Sequence, residues 1–198
     1  MAPSMAGLLA MTTLIAHLER VLAAHPPLDL GAEHPDLRPA AVLVPIVDRV
    51  GDPHLVFTRR TATVEHHKGQ VSFPGGGFEK GDGDLLACAL REAEEEVGIR
   101  DVRILGALDQ MVTTSGFRVA PYVGVVPSDL SYSPQLTEVE RVIEIPFSAI
   151  AERFGVREVE WRGASVKSYA VEWKGVLVWG VTGWILRSFL RHAVGVGG

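Results

Sequence analysis

The chain has little cysteine, no excess of basic charge and no long apolar run, and each shortage removes a class of protein. Cys88 is the only cysteine among 198 residues, so no intrachain disulfide can form and nothing ties the protein to an oxidising compartment. A formal charge of −5 gives no general attraction to nucleic acid or anionic lipid, although a local basic patch can still draw in a phosphorylated small molecule. Neither a nucleic-acid polymer nor a membrane is expected as a partner. No stretch reaches the ~20 apolar residues of a spanning helix, and residues 1–12 lack the charged start and long hydrophobic centre of a secretory leader. The expected location is the cytoplasm.

What is present is 47% hydrophobic residues and ordinary charge, enough for one sizeable core and too little for two. Residues 1–39 read as an N-terminal helix and connector, and residues 40–195 as the domain proper. Thr12 or Thr13 can cap a helix that stops at His25-Pro26-Pro27, because proline lacks an amide hydrogen and disfavours helix in the residue before it. Residues 40–47 and 55–58 read as a hairpin turning at Val50-Gly51-Asp52-Pro53, with Pro45 arguing for an edge or a bulge. Residues 102–107, 119–126 and 139–145 supply further strands. Residues 147–154 form a short helix, 167–173 and 176–178 a hairpin turning at Lys174-Gly175, and 182–192 a closing amphipathic helix. Without regular βαβ alternation, the expected fold is an α/β sandwich around a mixed sheet.

The informative stretch is Gly75-Gly76-Gly77 followed, after a loop, by residues 85–97 and Gly98. Asp82 or Asp84 can cap this helix, and Gly98 can end it in the left-handed conformation. Leu86, Ala89, Leu90, Ala93 and Val97 fall on one stripe, which faces the core. Glu92, Glu95 and Glu96 stand at i, i+3 and i+4, which brings their carboxylates onto a neighbouring face. Each such like-charge pair costs roughly 0.2–0.5 kcal/mol on a helix selected for stability alone. A hard divalent cation reverses that sign, because magnesium binds carboxylate oxygens and completes its shell with water and substrate phosphates. Arg91 can reach Glu95 one turn on. Glu94 projects away, and Cys88, between two alanines, is a small core residue. The bland alternative is a solvated acidic face.

The run Arg91-Glu92-Ala93-Glu94-Glu95-Glu96-Val97-Gly98-Ile99 resembles the second half of the Nudix signature at every fixed position. In the first half, Gly83 falls where the common signature has a glutamate, with Asp82 and Asp84 beside it. Some coenzyme A pyrophosphatases of the family lengthen this loop and use aspartate there. That branch also carries an upstream motif, which residues 56–61 and Gly69-Gln70-Val71-Ser72-Phe73-Pro74-Gly75-Gly76 resemble, although Glu65 stands at one basic position and reverses its charge. Similar stretches are Thr114-Ser115-Gly116, Val119-Ala120-Pro121, Glu138-Val139 and Trp179-Gly180-Val181-Thr182. The resemblance spans residues 40–190.

It implies a Nudix-like α/β/α sandwich with a mixed β-sheet, and Mg²⁺ or Mn²⁺ held by Glu92, Glu95 and Glu96. Arg91 would support that cluster while water attacks a diphosphate phosphorus in line. Glu95 is the favoured general base, with Glu138, Glu140 and Glu144 as alternatives. Arg60, Gly69, Phe73, Gly75 and Gly76 are the expected substrate contacts, with Arg60 rather than Arg59 facing the site because strand residues alternate. His66, His67, Trp173, Trp179, Trp184 and Met111 are expected in loop or core. The implied substrate is coenzyme A or an acyl derivative, cut to 3′,5′-ADP and 4′-phosphopantetheine. Competing readings are a Nudix hydrolase of another nucleoside-diphosphate derivative, kept open by Glu65, and a non-catalytic nucleotide-binding module. Either a monomer or a homodimer would suit the sequence.

Overall fold

The computed structural model describes residues 5–49, 51–61 and 69–194, with side chains from residue 12 onward. In chain order the elements are α1 (Met5–Ala23), β1 (Arg38–Arg49), β2 (Asp52–Arg60), β3 (Val71–Ser72), β4 (Gly75–Gly77) and α2 (Leu85–Val97). There follow β5 (Arg103–Ala107), β6 (Met111–Val112), β7 (Phe117–Val125), β8 (Val139–Pro146), α3 (Phe147–Arg153), β9 (Gly155–Trp161), β10 (Ala164–Trp173), β11 (Val176–Val178) and α4 (Val181–Val194).

Eight strands form one mixed sheet in the order β3-β2-β1-β7-β5, with β4 beside β1, β6 beside β7 and β8 beside β2; β1 and β7 run parallel. A second sheet has the order β11-β10-β9. The apolar run of β1 is continuous because both of its faces are covered. Leu43 and Val47 pack with Ala93, Val97 and Ile99 under α2, while Val44 and Ile46 join Leu55, Phe57 and residues of α1, α3 and α4 on the other face. The result is the α/β/α sandwich around a mixed sheet that the sequence implied.

Three expectations change. The N-terminal helix begins before Thr12, at Met5, and is no appendage: Ile15, Leu18 and Leu22 are buried in the main core. Strand β1 is central, despite Pro45. Leu43 donates its N–H to Pro74 O, and backbone groups alternate between neighbours, so Pro45 also faces the β2/β4 side. There it lies between the β4 register at residues 40–42 and the β2 register at 46–49, so its missing donor breaks no ladder bond. Strand β9 is an addition. It joins β10 through Arg162 and Gly163, both at positive φ, as Lys174 and Gly175 join β10 to β11. Among the described residues no helix is long and apolar enough to cross a membrane.

Candidate active site

The site is built on α2, whose ends are fixed by local chemistry. Asp84 is the N-cap, accepting the Ala87 N–H at 2.7 Å. Gly98, at φ 74°, closes the helix with its own N–H on Glu94 O and that of Ile99 on Ala93 O. The helix is rotated from the stripe expected of it. Cys88, Ala89, Ala93, Glu96 and Val97 are buried, and Leu86 and Leu90 only partly so. Cys88, Glu92 and Glu96, four residues apart, therefore lie along the sheet-facing side. Two glutamates turn inward where only apolar residues were expected.

Glycines make that possible. Strand β4 runs antiparallel to β1, with Ala41 opposite Gly76 and Val42 opposite Gly75. A Cβ on Gly76 would lie 2.5 Å from the Glu92 carboxylate, and one on Gly75 would lie 2.4 Å from Ala41 O. The Gly75 N–H donates to Glu96 Oε2 at 3.2 Å. Both glycines thus let backbone and carboxylate approach closely, and their immediate neighbours are Glu92, Glu96 and β1.

The electrostatics follow from this burial. Glu96 is only 4% exposed, and desolvation pushes its pKa up to about 7, against the pull of Arg60 and the Gly75 N–H and with the push of Glu92 and Glu138. Desolvation also raises Glu92, opposed by Arg91 at 3.0 Å. Glu95 differs from both. Its side chain is 61% exposed and is held by Arg91 at 2.9 Å across one helical turn.

Arg91 in turn is anchored by Asp82, whose carboxylate accepts Nε at 2.6 Å and Nη2 at 3.2 Å. That pairing, with the Glu79 N–H, lowers Asp82 to about 2. The two aspartates flanking Gly83 therefore have separate duties: Asp82 fixes Arg91 and Asp84 caps the helix. Burial pushes the Cys88 thiol up to about 11, which leaves it un-ionised and no nucleophile.

Among the alternatives for a general base, Glu144 is bound to Arg49 and to the Tyr132 hydroxyl at 2.7 Å each, and Glu140 pairs with Arg59 at 3.4 Å. Glu138 stands 3.9 Å from Arg60 and adds to the field on both Glu92 and Glu96. Arg60 acts on Glu96 in this cluster, whereas Arg59 lines a cavity with Gly69 and Gln70, and the pairing with β8 shifts register between the two.

Phe73 corrects an expected substrate contact. It is 2% exposed and stacked on Phe57 at 4.7 Å, inside the core. Gly69 lines a cavity beside Arg59. Trp184 is 50% exposed on α4, against the core position expected for it; Trp173 packs against the core and Trp179 is half-buried at the wall of that cavity. Glu65, His66, His67 and Lys68 lie outside the described residues.

Among the described residues no group of three or more histidine, cysteine or acidic side chains is gathered into a ready metal cage. The chemistry of Glu92 and Glu96 nevertheless fits a hard cation. Both are desolvated oxygen donors that repel each other, and magnesium is commonly bound by one or two carboxylates, with substrate phosphates and water filling the remainder.

A family model described as the NUDIX domain matches residues 37–164. The chain is 40% identical to an uncharacterized Nudix hydrolase, NudL, of Cronobacter sakazakii over 155 residues, 76% of this chain and 80% of that protein. It is 39% identical to NudL of Citrobacter koseri over 163 residues, 80% of this chain and 84% of that one. The crystal structure of a MutT/nudix family protein from Enterococcus faecalis superposes with a TM-score of 0.50 at 12% identity, over 78% of this chain and 61% of that one; this likeness concerns the fold. With the domain matched across the sheet and the carboxylate helix, the chain belongs to the Nudix hydrolase family and is a pyrophosphohydrolase of nucleoside-diphosphate derivatives.

Proposed function

We propose that the enzyme hydrolyses the diphosphate bond of coenzyme A or its acyl derivatives, releasing 3′,5′-ADP and (acyl-)4′-phosphopantetheine. The observation that carries this reading is convergence. Arg60, from the upstream motif that resembles the coenzyme A branch, stands beside Glu138 and within the field of Glu96 on the carboxylate helix. A cation in that position can bind a substrate phosphate against the helix.

When bound by Glu92 and Glu96, Mg²⁺ or Mn²⁺ would neutralise charge on the diphosphate and make an attacking water more acidic. The protein's own groups do the positioning. The Gly75 N–H orients Glu96, and Arg91, tethered by Asp82, holds Glu95 and Glu92 in place. We assign the general base to Glu138 in preference to Glu95, because the Glu95 carboxylate is committed to Arg91 at the surface. Glu138 would take the proton as water oxygen bonds to phosphorus and the anhydride oxygen leaves. Location in the cytoplasm belongs to the same proposal.

The charge reversal at Glu65 favours a second reading, in which the substrate is ADP-ribose, a dinucleotide cofactor or an oxidised nucleotide. Both are tested by incubating the protein with Mg²⁺ or Mn²⁺ and coenzyme A, acyl-coenzyme A, NADH, ADP-ribose and nucleoside triphosphates, with products identified by mass. Coenzyme A should be cut fastest, and Glu138→Gln should lower kcat more than Glu95→Gln does. Faster cleavage of another compound replaces the substrate, and cleavage of none refutes the assignment.

A further inference from the structure

A second cavity, of about 550 Å³, lies on the sheet face beside the start of α2, and none of Arg60, Glu92, Glu96 or Glu138 lines it. Arg118, Ala120 and Tyr122 form its floor, because alternate residues of β7 share one face. Leu28, Phe78, Leu85 and Leu108 make its walls apolar. The volume is that of a small-molecule site, roughly 300–1,000 Å³. These walls are held in place by the fold. The N–H of Leu28 donates to Asp109 Oδ1 at 2.9 Å and that of Leu30 to Gln110 Oε1 at 3.0 Å, so the segment after α1 is tied to the turn between β5 and β6.

Two polar groups in the floor identify the occupant. The Arg118 side chain is 15% exposed and donates through Nη1 alone, to Gln110 at 2.8 Å and to Asp29 at 3.2 Å. Among the described residues its buried Nε has no acceptor, and Nη2 donates to none. The open Nε–Nη2 edge is one that takes a carboxylate through two parallel hydrogen bonds. A buried donor without an acceptor is costly to keep, and an occupant that accepts from it removes the cost. The Tyr122 hydroxyl likewise makes no hydrogen bond among the described residues. Burial raises its pKa, and the charges of Asp84 and Asp29 raise it further, so both carboxylates act on the same space. This balance selects the charge of the occupant. One open guanidinium edge suits one negative charge, whereas a diphosphate would be repelled by Asp29 and Asp84. The apolar walls suit a hydrocarbon body.

We propose that this cavity is a second ligand site, for a small monocarboxylate with an apolar aliphatic or aromatic body. The carboxylate accepts from Arg118 Nε and Nη2 and from the Tyr122 hydroxyl, while the body packs among Leu28, Phe78 and Leu85. The site is separate from the catalytic cluster and does not depend on which diphosphate the enzyme cuts. Its wall includes Gly83 and Asp84, so an occupant meets the loop whose Asp82 anchors Arg91.

The test titrates hexanoate, benzoate, 1-hexanol and inorganic phosphate into the full-length protein by isothermal calorimetry. A chelator is present, so that no cation at Glu92 and Glu96 attracts the carboxylate. Wild type, Arg118→Met, Tyr122→Phe and Glu96→Gln are compared, with folding checked by circular dichroism. Hexanoate and benzoate should bind wild type and Glu96→Gln alike. Arg118→Met should weaken both roughly tenfold or more and Tyr122→Phe roughly fivefold, the scales of a charge-assisted and a neutral hydrogen bond. Hexanol should bind roughly tenfold more weakly than hexanoate, for want of the charge, and phosphate should give no heat of binding. Hexanol as tight as hexanoate would overturn the proposal, because the apolar walls alone would then explain binding. So would phosphate bound more tightly than either carboxylate, carboxylate binding lost in Glu96→Gln, or a wild type that binds neither carboxylate. If Arg118→Met fails to fold, the other comparisons decide: hexanoate bound by Tyr122→Phe as by wild type refutes the proposal.

Discussion

Glu96 and Glu144 are both largely withdrawn from water, and the protein answers them in opposite ways. Around Glu144 burial raises the pKa, but Arg49 and the Tyr132 hydroxyl outweigh it and hold the group below the ordinary carboxylate range. Around Glu96 burial wins: one backbone N–H and the distant Arg60 leave its pKa near 7, with Glu92 and Glu138 adding like charge. A carboxylate matched by a cation and a hydroxyl is a structural tie. One desolvated beside other carboxylates is held in a state that stability alone would not select. Metal and substrate phosphate chemistry explain why such a state is kept.

The comparison breaks most sharply at Glu96→Gln. This variant should keep its fold and its neutral-pH melting temperature, or gain slightly, while kcat falls by a factor of roughly 10²–10³, as when one transition-state-stabilising group is removed. Retained activity would place the chemistry elsewhere. Glu144→Gln should do the reverse, losing about 1–3 kcal/mol in urea denaturation because Arg49 keeps a partly buried charge without its partner, with kcat per folded molecule unchanged.

The two carboxylates should also give pH dependences of opposite sign. In chelator, the native state binds more protons at Glu96 than the unfolded chain between about 4.5 and about 7. Stability from that group is therefore complete below the lower value and is lost as pH rises through the upper one. Glu144 has its folded pKa depressed below 4.5, so its contribution is present above that value and is lost as pH falls further. Melting temperatures of wild type and Glu96→Gln across both windows test this: the variant should lose the upper slope, by roughly 3 kcal/mol at most, and keep the lower one. A slope surviving in the variant assigns it to another group. The smallest effect concerns the scaffold of the site. Asp84→Ala should cost about 1 kcal/mol through loss of the helix cap, measured by denaturation, and should leave the pH profile in place.

Much of this was legible in the residues themselves. Periodicity and capping located α2 to its last turn, since Asp84 and Gly98 act within a few residues. The Lys174-Gly175 turn announced its hairpin, whereas Arg162-Gly163, with the same positive φ pair, was the available signal for the missed strand β9. Pro45 misled because its position between two partial registers depends on strands distant in sequence. Phe73 misled in another way, because adjacency to a motif says nothing of which face a side chain takes, and Phe57 claimed it for the core.

Local order along the chain was enough for the helix, its C-cap Gly98, the spacing of Glu92, Glu95 and Glu96, and the family, because these rest on local geometry and near-neighbour residues. Packing between distant segments decided which glutamates face inward, that Gly75 and Gly76 admit them, that Asp82 anchors Arg91 and so leaves the N-cap to Asp84, and that Glu138 rather than Glu144 adjoins the cluster. Burial and field depend on what packs against a residue from β1, β4 and the turn that leads into β8, and that is fixed only when distant segments meet.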